Sequence, residues 1–128
     1  QKKDRFIPFI IDSCLKDLDF PCTQGRQIRD FCYVDDFSEA IFCIFNSPGV
    51  TGEILNVASG KAVSIKDITK KISNIIGGGK PSFGKLKMRE SENMELYADI
   101  SKAKKLLKWS PKTPLNKGLL KTIDFYKK

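Results

Sequence analysis

Gly25-Arg26-Gln27-Ile28-Arg29-Asp30-Phe31-Cys32-Tyr33-Val34-Asp35-Asp36 is the stretch on which the rest of the chain depends. Glycine opens a turn, and Ile28, Phe31, Tyr33 and Val34 then favour extended backbone, because branched and aromatic side chains suit a pleated surface. Asp35 and Asp36 precede an apolar run at helical spacing, and an aspartate there satisfies the free N–H groups of a helix start. Residues 29–34 are therefore read as a strand and Asp36 as the N-cap of the following helix. The Arg29-Asp30 pair falls where loop becomes strand, a position at which binding groups are often held.

Downstream, Ala40, Ile41, Ile44 and Phe45 recur at helical spacing until Ser47-Pro48-Gly49 stops the run. Residues 53–58, bounded by glycines, read as a strand. Ser64-Ile65-Lys66-Asp67 resembles a capping box with Asp in place of Glu, and Ile65, Ile68, Ile72, Ile75 and Ile76 form one apolar stripe ending at Gly77. Gly77-Gly78-Gly79-Lys80-Pro81-Ser82 fails the phosphate-loop pattern because Pro81 follows the lysine, so it is read as a helix end. Residues 83–97 are polar, extended or looped, and contain Arg89 and Glu92. Asp99 or Ser101 caps a short helix through Ala103, Leu106 and Leu107; Thr113-Pro114 opens a last helix with Leu115, Leu119, Ile123 and Tyr126 inward.

Upstream, residues 4–17 read as a helix capped by Asp4, with Pro8 tolerated in its first turn. Asp19-Phe20-Pro21-Cys22-Thr23 is a short extended piece, since Pro21 cannot donate to a central ladder. Helices alternate with short strands and no repeat is present, which gives an α/β class. With 128 residues and 41% hydrophobic content the chain buries one core, as a single domain or a piece of a larger one.

No apolar run approaches the ~18 residues of a membrane span. The start, Gln1-Lys2-Lys3-Asp4, lacks an initiator Met and leads straight into an amphipathic run, so it reads as neither a signal peptide nor a natural beginning. Histidine is absent, and Cys14, Cys22, Cys32 and Cys43 show no Cys-x-x-Cys spacing, so no metal site is expected. The cysteines are read as buried thiols of a reducing cytoplasm. Net charge is +8, unevenly placed: residues 1–60 carry −3 and residues 61–128 carry +11. The basic half suits an anionic partner, although most of its charges are lysines on helices, where a solvated face is the plainer reading.

The segment around Arg29 resembles the Arg-Asp-Phe-x-Tyr-Val-x-Asp signature of the extended short-chain dehydrogenase/reductases that act on nucleotide sugars, the NAD-dependent epimerase/dehydratase family. Gly52-Glu53-Ile54-Leu55-Asn56-Val57-Ala58-Ser59-Gly60 with Ser64-Ile65, then Arg89-Glu90, Ala98-Asp99-Ile100-Ser101-Lys102-Ala103 and Trp109-Ser110-Pro111, follow in the family's order. The resemblance implies a C-terminal subdomain of a Rossmann-type enzyme: residues 1–128 form the nucleotide-sugar-binding region, and the N-terminal domain that binds NAD or NADP is absent from this chain. The resemblance allows a homodimer of the full-length parent, but the helices that pair subunits in the family lie mainly in the absent half, which leaves the oligomeric state open; residues 5–36 look more like the branch making deoxysugars for surface polysaccharides. One local departure is Lys108, where the family's turn before the Trp carries Gly.

Within that resemblance, Arg29 and Arg89 are expected on the substrate diphosphate, since a guanidinium fork holds two phosphate oxygens and each charge-assisted bond contributes roughly 1.5–3 kcal/mol. Read from composition alone, Arg29 pairs locally with Asp30 or Asp35. Glu92 falls where the family places an acceptor for the ribose hydroxyls. Phe20, Pro21 and Cys22 resemble the extended segment whose backbone edge lies against the nucleobase, with plain edge protection by Pro21 as the rival reading. No catalytic residue is expected: the family's tyrosine is followed four residues on by lysine, whereas Tyr33 is followed by Phe37, Tyr97 by Ser101 and Tyr126 by nothing. No glycine-rich βα turn for a dinucleotide is present either. Asp35 and Asp36, adjacent in the chain, point apart and do not form an acid–base pair.

The chain alone is therefore expected to bind without catalysing. The competing readings are a basic nucleic-acid-binding module, suggested by Phe83 and Trp109 near lysines, although Trp109 follows an apolar helix and precedes Ser110-Pro111 and so reads as a core-capping residue, and a stand-alone domain that senses a sugar nucleotide without turning it over.

Overall fold

The computed structural model describes Lys2 and residues 4–128; Gln1 and Lys3, part of the start discussed above, lie outside the described residues. The order is α1 (Phe6–Leu15), β1 (Asp19–Pro21), β2 (Ile28–Arg29), α2 (Val34–Phe45), a 3-10 turn (Pro48–Val50), β3 (Val63–Ser64), α3 (Ile65–Ile76), β4 (Lys80–Ser82), β5 (Glu95–Leu96), α4 (Ser101–Leu107) and α5 (Leu115–Lys127). The strands form two small sheets. β1 pairs with β4 in parallel, Phe20 opposite Pro81; in the other sheet β2 is central, antiparallel to β3 and parallel to β5. Every strand of a two-stranded sheet keeps a free edge, which is why Pro21 and Pro81, each lacking an N–H, are both accommodated.

α3 forms where its local signals place it. The Ser64 hydroxyl accepts the Asp67 N–H at 3.0 Å, and Gly77 ends the helix in the left-handed conformation at φ 75°. Ile68 and Ile72 are fully buried against Ile10, Ile11, Cys14 and Phe20, with Leu119 and Ile123 of α5 closing the same core. Burial of each such side chain contributes roughly 1.5–3 kcal/mol.

A second, smaller core joins Ala40 of α2 to Ala103 and Leu107 of α4 and to Trp109. Trp109, 3% exposed, donates its indole N–H to the Asp36 carbonyl at 3.1 Å. Lys108, between α4 and the tryptophan, adopts the left-handed conformation at φ 50°. A side chain there strains the backbone, and Lys108 is exposed, so Lys108→Gly is expected to raise stability by about 1 kcal/mol in chemical denaturation.

Several local expectations are corrected. Ile100, not Asp99 or Ser101, occupies the N-cap of α4, with no side-chain bond. Arg5, not Asp4, occupies the N-cap of α1, with no side-chain bond, and Pro8 stands in the first turn. The strand at 29–34 shrinks to Ile28–Arg29, because α2 starts at Val34 with Tyr33 as N-cap. Asp36 is thus not a cap but a buried residue of the first turn, whose carboxylate accepts the Thr113 N–H at 2.9 Å and the Thr113 hydroxyl at 3.2 Å. Residues 53–58 form no ladder: Leu55 and Val57 lean on the second core while Ile54 is 85% exposed, an alternation without a neighbouring strand among the described residues.

In α2 only Ala40 of the expected apolar set is buried; Ile44 is half-buried, Ile41 exposed and Phe45 83% exposed. At about 100° per residue, Phe45 stands about 140° around the helix from Ala40. Val34, Phe37 and Phe42 are exposed with it.

Candidate functional site

β1 pairs with β4 and β2 with β5, so the connections 22–27 and 83–94 cross from one sheet to the other side by side. All six residues singled out for substrate binding lie on these segments or the strands that end them. The connections touch: the Leu86 N–H donates to the Cys22 carbonyl at 3.0 Å.

Gly25 sets the course of the first connection. Its φ of 69° is left-handed, its N–H donates to the Thr23 hydroxyl at 3.2 Å, and its carbonyl accepts the Lys66 N–H at 3.0 Å. A Cβ at Gly25 would stand 2.8 Å from the Lys66 nitrogen, so only glycine lets the loop meet the start of α3. The chain then enters β2, where the Ile28 N–H is bonded to the Met94 carbonyl at 2.7 Å.

Arg29 ends the central strand and is half-buried. One terminal nitrogen donates to the Ile28 carbonyl at 2.8 Å and the other to the Glu92 carboxylate. The local pairing of Arg29 with Asp30 or Asp35 is thereby corrected: its ionic partner lies 63 residues away. Glu92 is held in a turn by its N–H on the Arg89 carbonyl at 3.0 Å. Arg89 itself is exposed and, among the described residues, without a side-chain partner. The fold thus brings Arg29 and Glu92 into contact and places Arg89 on the turn that carries Glu92.

Phe20 and Cys22 are buried and Pro21 is exposed. The Cys22 N–H donates to the Ser82 carbonyl at 3.0 Å and its carbonyl is taken by Leu86, so the free backbone edge expected at Cys22 is not free. β4 supplies the pairing; the sequence reading did not find that strand because its three residues, Lys80-Pro81-Ser82, follow a glycine run and contain a proline.

Asp30 is the organising residue that the sequence reading missed. Its carboxylate accepts the N–H groups of Ser59 and Gly60, each at 2.8 Å, the Ala98 N–H at 3.4 Å, and the Ser59 hydroxyl. One carboxylate joins three segments around β2. The available signal was the Ala58-Ser59-Gly60 turn, whose closely spaced N–H groups call for an acceptor.

A separate apolar concavity of about 490 Å³ lies between α1, residues 31–34 and α5, lined by Ile7, Phe31, Tyr33, Leu119 and Tyr126; it includes neither arginine nor Glu92. The four cysteines are free, Cys14 and Cys22 buried, Cys32 and Cys43 half-buried. Burial pushes the thiols of Cys14, Cys22 and Cys32 upward and keeps them protonated. Among the described residues no group of side chains could hold a metal ion, and no helix is long and apolar enough to cross a membrane.

Fold and site together define an α/β subdomain with an arginine on a central strand, a carboxylate against it, and a second arginine on the adjoining turn. Residues 4–122 match the family described as GDP-mannose 4,6 dehydratase, and the chain belongs to this NAD-dependent epimerase/dehydratase family. It is 35% identical to a UDP-glucuronate 4-epimerase of Thermodesulfobacterium geofontis over 81% of this chain and 32% of the relative. It is 31% identical to a CDP-abequose synthase of Salmonella muenchen over 96% of this chain and 42% of the relative. Among solved structures, the Bacillus cereus UDP-glucuronic acid 4-epimerase in complex with UDP-glucuronic acid and NAD superposes with a TM-score of 0.88 at 32% identity, covering 99% of this chain and 41% of that one. The chain thus spans roughly a third to two-fifths of the length of these three proteins.

Proposed function

We propose that residues 1–128 form the nucleotide-sugar-binding, C-terminal portion of an NAD(P)-dependent epimerase, dehydratase or reductase, whose dinucleotide-binding Rossmann domain belongs to another part of the polypeptide. The observation that carries this reading is the placement of Arg29: fixed on a central strand, half-buried, and beside Glu92, whose turn also carries the exposed Arg89. Two guanidinium forks suit a diphosphate, and a carboxylate beside them suits ribose hydroxyls. Pro21, exposed on β1, is left to face the base, since the polar groups of Cys22 are already bonded.

NAD or NADP, when bound by the parent, supplies hydride removal at a sugar carbon. The residues present here do not fit it: the glycine cluster Gly77–Gly79 follows a helix and leads into a strand, the reverse of a dinucleotide turn. Residues 1–128 accordingly bind and orient the substrate, and no chemical step is assigned to them.

The nucleic-acid reading loses its aromatic platform. Trp109 is buried, and half-buried Phe83 lies under Lys66, 5.4 Å from nitrogen to ring centre.

Arg29→Ala in the full-length protein tests the proposal by calorimetric titration with UDP-glucuronic acid, CDP and NAD. Loss of one charge-assisted bond at about 1.5–3 kcal/mol weakens the nucleotide ligand by roughly 10- to 150-fold and leaves NAD within about twofold. Equal losses for both would remove Arg29 from the diphosphate.

A further inference from the structure

The two residues assigned to one ligand are bonded to each other. Arg29 and Glu92 have side chains 23% and 22% exposed, shielded enough for their charges to interact strongly, and the guanidinium nitrogen not spent on Ile28 is occupied by Glu92. An anion brought to that nitrogen meets a carboxylate of its own sign at hydrogen-bonding range. The two sides differ in rigidity. Arg29 sits on the middle strand, whereas Glu92 lies in the irregular 83–94 segment, flanked by exposed Glu90, Ser91 and Asn93.

Resting on the function proposed above, we infer that Glu92 is a built-in counter-ion that selects nucleoside diphosphates over bare anions. A nucleoside diphosphate replaces both halves of the ion pair at once: its phosphate oxygens accept from Arg29, and its ribose hydroxyls donate to the displaced carboxylate. Inorganic pyrophosphate offers the carboxylate no hydroxyl of this kind. It must strand Glu92 half-buried without a partner or bind beside it against repulsion. Glu92 thus acts against the wrong ligand as well as for the right one.

The test is calorimetric titration of inorganic pyrophosphate, and of whichever of UDP and CDP binds more tightly, into the full-length protein and its Glu92→Gln, Glu90→Gln and Arg29→Ala variants. Glutamine keeps the shape and removes the charge. Glu92→Gln is expected to bind pyrophosphate about tenfold more tightly while the nucleotide gains less or weakens, so the preference for nucleotide falls. Glu90→Gln, on the same turn but unpaired among the described residues, is expected to change neither. Unchanged or weaker pyrophosphate binding in Glu92→Gln, or an equal gain in Glu90→Gln, overturns the counter-ion role. In that case a loss of nucleotide binding in Arg29→Ala still upholds the site. If Arg29→Ala binds the nucleotide like the parent, or the parent binds neither nucleotide, the site assignment falls as well.

Discussion

Trp109→Ala is expected to destabilise the chain by about 3–5 kcal/mol, a large part of the total stability of a domain this size. Three losses combine. The indole, 3% exposed, fills the small core against Ala40, Ala103 and Leu107, and two alanines cannot close over the space that it leaves. Its N–H anchors the Asp36 carbonyl, and the Asp36 carboxylate in turn holds Thr113 just before α5. Removal of the ring therefore loosens the joint of α2, α4 and α5 while leaving the α1–α3 core in place. Urea denaturation checks the magnitude. A loss below about 1 kcal/mol would mean that Trp109 does not hold this core together.

Gly25→Ala is expected to cost about 2–4 kcal/mol, although it adds a single methyl group. A left-handed alanine costs roughly 1–2 kcal/mol on its own. The added carbon would also lie 2.8 Å from the nitrogen and 2.9 Å from the Cα of Lys66, backbone atoms that cannot swing aside. Relief requires the loop to retreat from α3, which breaks the bond between the Gly25 carbonyl and the Lys66 N–H and shifts β2 behind it. Arg29 is four residues on, so weaker nucleotide binding should accompany the lower denaturation midpoint. A variant of full stability would show that the close approach is relieved by a small movement of α3.

These two residues also show how far local rules reach. Trp109 as a core residue, Gly25 as a turn and the isoleucine stripe of α3 are legible from a few neighbouring residues, because spacing, capping and left-handed glycine are local physics. The same rules misplace Asp36 as a cap and Arg29 as the partner of Asp30. Each side chain had an acceptable local role, and a stronger partner lay 77 and 63 residues away respectively. Residues 53–58 fail differently. Their alternation is that of a strand, but a strand needs a neighbour to bond, and no described residue supplies one.

The sequence by itself determined the α/β alternation, the α3 and α5 helices and the family, since each rests on local pattern or on an ordered set of short motifs. Only the tertiary structure decided that β1 is covered by β4, that Asp30 ties three segments together, and that Arg29 meets Glu92. Those are pairings of polar groups far apart in the chain, and which donor meets which acceptor is settled by how the helices and sheets pack.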